Sequence, residues 1–229
     1  MLTEIREEAT GVVAAKSTSR GQRSLRIVLG LAAAILVGLA WRLPIWEARL
    51  TAPQYPGGLT LSASATGVTG DIDEVNELNH YVGMRAFETS DAPEMALWTP
   101  VIALGLVGVV LAVTLPRRLV GRAAKLGLWL IPIGVLLDVQ LRLHQYGQSV
   151  QPDAPIRLDP FTPLVVGPTK VLNFTTWAYP GLAIWCLLLA AFLVTFAPSS
   201  LARMREHWRQ RPVYVSDEEF EALRRAGRT

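Results

Sequence analysis

The sequence predicts an all-α membrane protein with four transmembrane helices, both termini in the cytoplasm and two irregular extracytoplasmic loops. Three observations predict this class: four long stretches with few charged residues, Lys and Arg concentrated on one side of them, and aromatic residues at their ends. Of the 229 residues, 51% are hydrophobic and 18% are charged. This composition is too apolar for a disordered chain and too poor in charge for an ordinary soluble domain of this length.

The four apolar stretches set the predicted domain boundaries. A helix of about 20 residues, rising about 1.5 Å per residue, crosses a hydrocarbon core of about 30 Å. The second and fourth stretches lack the polar face that a buried helix of a soluble bundle would carry. The predicted spans lie at about 27–46, 97–116, 126–147 and 177–198 of a membrane domain covering 27–198. The other segments are a cytoplasmic lead at 1–26, outer loops at 47–96 and 148–176, and a basic cytoplasmic tail at 199–229.

The distribution of basic residues predicts the orientation. The lead, the short connection after the second span and the tail together hold 16 of the 22 Lys and Arg residues, whereas the two outer loops hold four. The positive-inside rule therefore predicts a multi-pass protein of the cytoplasmic (inner) membrane with both termini inside. Aromatic residues sit at the predicted outer interface, where such side chains are enriched: Trp41, Trp46, Trp98, Trp177 and Tyr179. The sequence around Trp41 is a poor cleavage site, so we interpret the first span as a retained anchor.

The outer loops differ in their predicted structure. The first holds eight acidic and two basic residues, and it favours contact with cations. Within it, alternation predicts a short strand at Leu59–Ala63, and the spacing of apolar residues predicts a helix over Asp71–Met84. The second loop contains five prolines and predicts no regular structure. In the tail, Ser216 begins a helix-capping box, and the four arginines around Trp208 suit anionic lipid headgroups rather than nucleic acid.

One group of candidate functional residues is a candidate copper site. On a helix, His80 and Met84 would share a face, and an imidazole beside a thioether suits Cu(I). His144 and Met95 lie on the same predicted side of the membrane and would complete such a site. The alternative is that Met84 packs on the membrane while His80 forms hydrogen bonds within the loop.

A second group is the polar pair in the third span. Asp138 and Arg142 are four residues apart, which predicts a local ion pair with the arginine reaching outward. The alternative is that Asp138 relays protons or metal ions through the bundle, because intramembrane carboxylates often have such roles.

A third group precedes the fourth span. Lys170 is placed to reach an acid of the first loop, while Asn173 begins a glycosylation sequon. The simpler interpretation is that amide and hydroxyl side chains here cap the fourth span.

Several features that typify enzymes are absent from the sequence. It contains no Gly-rich phosphate loop, no His-Glu-x-x-His motif, no nucleophile elbow and no paired-cysteine metal site. The single cysteine, Cys186, is expected to be a packing residue of the fourth span. The sequence therefore predicts a protein that is not an enzyme.

Motifs in the two outer loops resemble a known family. They are Trp46 with 52–59 (including Tyr55 and Pro56), 78–84 (including Asn79 and Tyr81), and 170–175 (including Lys170 and Asn173). Together they resemble the NosB-like four-span membrane proteins of nitrous oxide reductase operons, found beside the NosL, NosD, NosF and NosY accessory factors. The resemblance implies a role in assembling or supporting an extracytoplasmic copper enzyme, and it strengthens the interpretation of His80 and Met84 as copper ligands.

Three functional hypotheses follow. The first is a non-enzymatic accessory protein that docks copper-enzyme maturation factors or supplies copper for nitrous oxide reduction. The second is a small structural subunit of a respiratory membrane complex, without metal. The third is an ion or solute channel gated through Asp138.

Overall fold

The computed structural model describes residues 23–87, 95–116, 118–151 and 154–196, and it contains both helices and a β-sheet. The elements in chain order are α1 (Arg23–Ala40), β1 (Trp46–Ala52), β2 (Tyr55–Ser64), β3 (Gly67–Gly70), α2 (Ile72–Tyr81), α3 (Met95–Thr114), α4 (Leu119–Gln148), β4 (Gly167–Val171), β5 (Phe174–Pro180) and α5 (Leu182–Thr195). The prediction of an all-α protein with irregular loops is therefore wrong, and the fold is mixed α/β. The predicted capping box at Ser216 lies outside the described residues.

Both predicted outer loops contribute strands to one antiparallel sheet with the order β3-β2-β1-β5-β4. The strand predicted at Leu59–Ala63 is confirmed as part of β2. The prediction that the second loop has no regular structure is wrong, because β4 and β5 form a hairpin there. Pro168 is tolerated because β4 is an edge strand, where a missing N–H need not interrupt a ladder.

Strand β5 also explains why the predicted fourth span is too long. The apolar stretch begins at Trp177, but the chain remains extended and paired with β1 as far as Pro180. Helix α5 has 14 residues, a length of about 21 Å, which is less than a hydrocarbon core of about 30 Å. Among the described residues, three helices are long and apolar enough to cross a membrane: α1, α3 and α4. Hydropathy detected the apolar composition here, whereas the Thr, Trp and Tyr residues of β5 favour extended backbone.

The long helices and α5 pack around one buried apolar cluster. Six of its buried members are alanines, which let helix backbones approach closely. The buried helical members of the cluster come from α1 (Ala33, Val37, Ala40), α3 (Trp98, Ile102, Val109, Ala112), α4 (Leu128) and α5 (Ala183, Ile184, Leu187, Ala190, Ala191, Val194).

Short backbone connections attach the sheet to this helical unit. The Gly181 N–H donates to the Ile45 carbonyl at 2.9 Å, and the Ala183 N–H donates to the Pro44 carbonyl at 2.9 Å. The Ile45 N–H in turn donates to the Ala63 carbonyl at 2.7 Å. The two central strands, β1 and β5, are therefore held where they join α1 and α5.

Helix α2 packs against the sheet through β2. The helix predicted over Asp71–Met84 is confirmed, although it ends at Tyr81. The Asp71 carboxylate accepts from the Thr60 N–H at 2.7 Å and from its hydroxyl at 3.1 Å. The contact is a small apolar cluster made by Val75 and Leu78 of α2 with Leu59 and Leu61 of β2.

Candidate functional site

Three polar side chains on one face of α4 bind the strap, defined here as residues 161–165. The Gln140 side chain donates to the Pro163 carbonyl and accepts from the Val165 N–H, both at 2.9 Å. The His144 Nδ1 lies 2.8 Å from the Thr162 hydroxyl, and Gln148 donates to the Phe161 carbonyl at 3.1 Å. The spacing of four residues places these side chains above one another, so this face of α4 holds the strap in place.

A different face of α4 binds α2 and the segment that follows it. The Tyr146 hydroxyl accepts from the Asn79 side chain and donates to the Arg85 carbonyl, both at 2.7 Å. Its ring stacks on Phe87 with 4.5 Å between centroids. The Asn76 side chain accepts from the Phe87 N–H at 2.7 Å and donates to the Phe87 carbonyl at 2.9 Å. Asn79, singled out in the sequence motif, is therefore a buried link between α2 and α4.

The structure does not place the predicted copper ligands as the prediction requires. Helix α2 ends at Tyr81, and Gly83 has φ +71°, so His80 and Met84 are not successive positions on one helical face. His144 lies about 200° around α4 from Tyr146, the residue that contacts α2, and its ring binds the strap instead. Within the described residues, no three His, Cys, Asp or Glu side chains are placed to share a metal ion.

The remaining motif residues occupy turns and strand ends. Lys170 is an exposed residue of β4 paired with Thr175, and Asn173 follows Leu172 in the two-residue turn between β4 and β5. Leu172 has φ +53°, which is typical of such hairpin turns. The interpretation of Asn173 as a cap of the fourth span is therefore wrong, since β5 separates it from α5. Tyr55 and Pro56 begin β2, at the same end of the strands as this turn.

Asp138 and Arg142 form the ion pair that their spacing predicts. The Arg142 Nε and Nη2 donate to the two carboxylate oxygens of Asp138 at 2.8 and 3.1 Å. The pair is not buried, because 53% of the Asp138 side chain and 35% of the Arg142 side chain are exposed. Both residues line a groove, and they are two of the three charged residues of its wall.

This groove lies between α3 and α4 on the side of the sheet and has a volume of about 910 Å³. Near the turn that joins them, the two helices are in close contact, since a Cβ on Gly121 would overlap the Leu115 carbonyl of the turn and lie 3.3 Å from the Leu111 carbonyl of α3. Farther along α4, Gly127 and Gly134 line the groove, and a Cβ on either would meet nothing within 4 Å. Trp46, Ala63 and Val68 of the sheet line the opposite end of the groove, together with Ile45, which precedes β1.

The outer face of α2, defined as Asp73, Glu74, Glu77, His80 and Tyr81, is the second notable surface. All five residues are exposed, whereas Val75 and Leu78 face the sheet. Three carboxylates within two helical turns make this surface acidic, and Tyr81 adds an exposed aromatic ring. Carboxylates grouped in this way attract basic partners.

Compared with protein-family models and with curated proteins, the chain matches none of them. The resemblance to NosB-like proteins consequently remains a prediction. The groove was not predicted from the sequence, although Gly127 and Gly134, seven residues apart in an apolar helix, indicate one helix face without side chains. The role of Asn76 was not predicted either: its side chain forms two hydrogen bonds with the backbone of Phe87, eleven positions further along the chain.

Proposed function

We propose that the protein is a non-enzymatic accessory protein of the cytoplasmic membrane that presents its sheet and α2 as a docking unit outside the cytoplasm. The observation that carries the proposal is the acidic outer face of α2, held in a fixed position relative to apolar helices. Asp73, Glu74 and Glu77 provide its charge. A surface held in one orientation loses less entropy on binding than a flexible loop would.

The fixed position of α2 has a clear structural basis. Val75 and Leu78 pack on β2, Asn79 bonds to Tyr146 of α4, and the Tyr81 carbonyl accepts from the Ile156 N–H at 3.1 Å. These contacts connect α2 to the sheet, to α4 and to the segment after α4. The outer face is therefore the side of α2 that these contacts leave open.

The membrane location and orientation are part of the proposal. Three long apolar helices support insertion, and the excess of Lys and Arg in the segments at 1–26 and 117–125 supports placing the N-terminus and the turn between α3 and α4 inside. The sheet follows the C-terminal end of α1 and precedes the N-terminal end of α5. It would then face the periplasm or its equivalent.

The expected partner presents a basic surface. The resemblance in the outer motifs suggests a copper enzyme such as nitrous oxide reductase, or one of its maturation factors. We propose docking rather than copper transport, because His80, Met84 and His144 are not arranged on one face. Titration with Cu(I) tests this choice: equal affinity in wild type and in a His80→Ala/Met84→Ala double variant is expected, and a large loss in the variant would favour copper transport.

Binding of purified nitrous oxide reductase, or of its copper chaperone, to the detergent-solubilised protein tests the docking proposal. Glu77→Lys should weaken binding at least about tenfold at low salt, because it reverses a charge in the centre of the acidic face. Asp159→Lys is the matched control, since it changes the net charge equally at an exposed position outside α2. Equal binding by the two variants, or none by wild type, would contradict the proposal.

A second candidate, a structural subunit of a respiratory membrane complex, is favoured by one face of α4. Leu130, Ile133, Leu137 and Leu141 are each at least half exposed and would contact either lipid or a neighbouring subunit. Purification in mild detergent discriminates the candidates. A stoichiometric cytochrome-containing complex would support the second, whereas recovery with a copper chaperone would support docking.

A further inference from the structure

We propose that the groove between α3 and α4 binds an isoprenoid quinone, with its ring at the Asp138–Arg142 pair and its tail along the apolar part of the groove. The proposal concerns binding alone and does not depend on the docking partner. It rests on the shape of the groove, on the position of the ion pair and on the aromatic residues around it.

The shape of the groove suits a single apolar chain. Its wall on α4 runs from Gly127 to the residue after the helix, Ser149, and the part from Gly127 to Val135, about 12 Å along the helix axis, is apolar. Leu97, Val101 and Leu104 of α3 form the facing wall. The two glycines of α4, Gly127 and Gly134, leave the space open that larger side chains would occupy.

The ion pair indicates that the occupant has a polar head at one end. Asp138 lies about two thirds of the way along α4, in the half toward the sheet, and a half-exposed charge that faces lipid tails is costly. Polar atoms of an occupant beside the ion pair would form the hydrogen bonds that water cannot provide when lipid surrounds the helix. Because the carboxylate and the guanidinium neutralise each other, the pair favours an uncharged head with hydrogen-bonding oxygens over an anionic one.

Aromatic side chains around the pair favour a flat head. Trp46, Trp98, Phe87 and Tyr146 all line this end of the groove, and aromatic rings pack well against another ring. The buried Trp98 N–H has no acceptor among the described residues, and a quinone carbonyl is a group of the kind it lacks. Arg85 is the remaining charged residue of the lining, so a phospholipid is the competing occupant that an experiment has to separate.

Quenching of tryptophan fluorescence by decylubiquinone, a short-chain quinone, tests the proposal on the full chain in phosphatidylcholine nanodiscs. Wild type should show saturable quenching, and Gly134→Leu should weaken binding at least about tenfold because the leucine fills the tail groove. The matched control is Gly38→Leu on α1, where a Cβ also meets nothing within 4 Å but which does not line the groove. Gly38→Leu should bind as wild type does.

Further arms of the experiment separate the outcomes. Gly127→Leu is a second groove-filling variant and should also lose binding. It keeps the test valid if Gly134→Leu does not fold. Brominated phosphatidylglycerol, added as a quencher, should not displace decylubiquinone. Quenching that fails to saturate, equal affinity in all variants, or displacement by the phospholipid would each overturn the proposal.

Discussion

The two halves of α4 belong to one continuous helix of 30 residues, yet they meet different surroundings. Near the turn at 115–118, α4 packs directly against α3, and Gly121 lies too close to the Leu115 carbonyl to accept a Cβ. Toward the sheet, α4 lines an open groove and carries polar side chains that hold the strap and α2. Close packing of small and apolar residues stabilises the first half, whereas hydrogen bonds to loops organise the second.

One apolar helix therefore both packs against α3 and holds the strap and α2. Polar residues in a candidate membrane helix suggest a channel or a relay when only the sequence is considered. In the structure, Gln140, His144 and Tyr146 instead bind backbone carbonyls or side chains of the outer segments. Asp138 and Arg142 are the charged residues of this half that face the groove.

Glycine-to-leucine substitutions in the two halves of α4 should give the largest difference in stability. Gly121→Leu should destabilise the protein by roughly 3 kcal/mol, since the side chain collides with backbone that cannot move aside. Gly134→Leu should change stability by less than about 1 kcal/mol, because the site is open and leucine favours a helix over glycine. Thermal unfolding in detergent measures both. Equal losses would mean that α4 is packed alike along its length.

Asn79→Ala should have the next largest effect, a loss of about 2 kcal/mol. Asn79 is 7% exposed, and its removal leaves the Tyr146 hydroxyl without that donor. The effect should include faster proteolysis of residues 84–87, which Tyr146 and Asn76 hold in place. Asn173→Ala, in an exposed turn, is the control and should stay within about 0.5 kcal/mol. Similar behaviour of the two variants would remove Asn79 from the link between α2 and α4.

A double-mutant cycle on the ion pair should give the smallest effect. Coupling between Asp138→Asn and Arg142→Gln is expected at roughly 1 kcal/mol, above the 0.3–0.5 kcal/mol typical of exposed helix pairs. The reason is that the groove walls are apolar and solvate the charges less well than water does. Unfolding midpoints of the four proteins measure the coupling. A value that vanishes at high salt would show that the pair is fully hydrated.

The sequence predicted several parts of the molecule correctly, and the reasons are local. Alternation identified the strand at Leu59–Ala63, the spacing of apolar residues identified α2, and a separation of four residues identified the Asp138–Arg142 pair. Each of these features depends on residues close together in the chain. Patterns of this kind are what a single sequence records best.

The errors arose where distant segments pair with each other. Strands β1 and β5 are about 130 residues apart, and their pairing converts the start of an apolar stretch into β-sheet instead of helix. The assumption that His80 and Met84 share a helical face failed because Gly83 ends the regular backbone between them. Proline content likewise could not reveal β4, because an edge strand accepts the proline that a central strand would exclude.

The proposed docking role requires the sheet to lie outside the cytoplasm, on the opposite side of the membrane from the turn between α3 and α4. Replacing Cys186, the chain's single cysteine, by alanine gives a background for cysteine labelling in intact spheroplasts. A membrane-impermeant maleimide should label Lys170→Cys on β4 and leave Arg118→Cys unlabelled until the membrane is opened. Labelling of Arg118→Cys but not of Lys170→Cys in the intact spheroplasts would contradict the account.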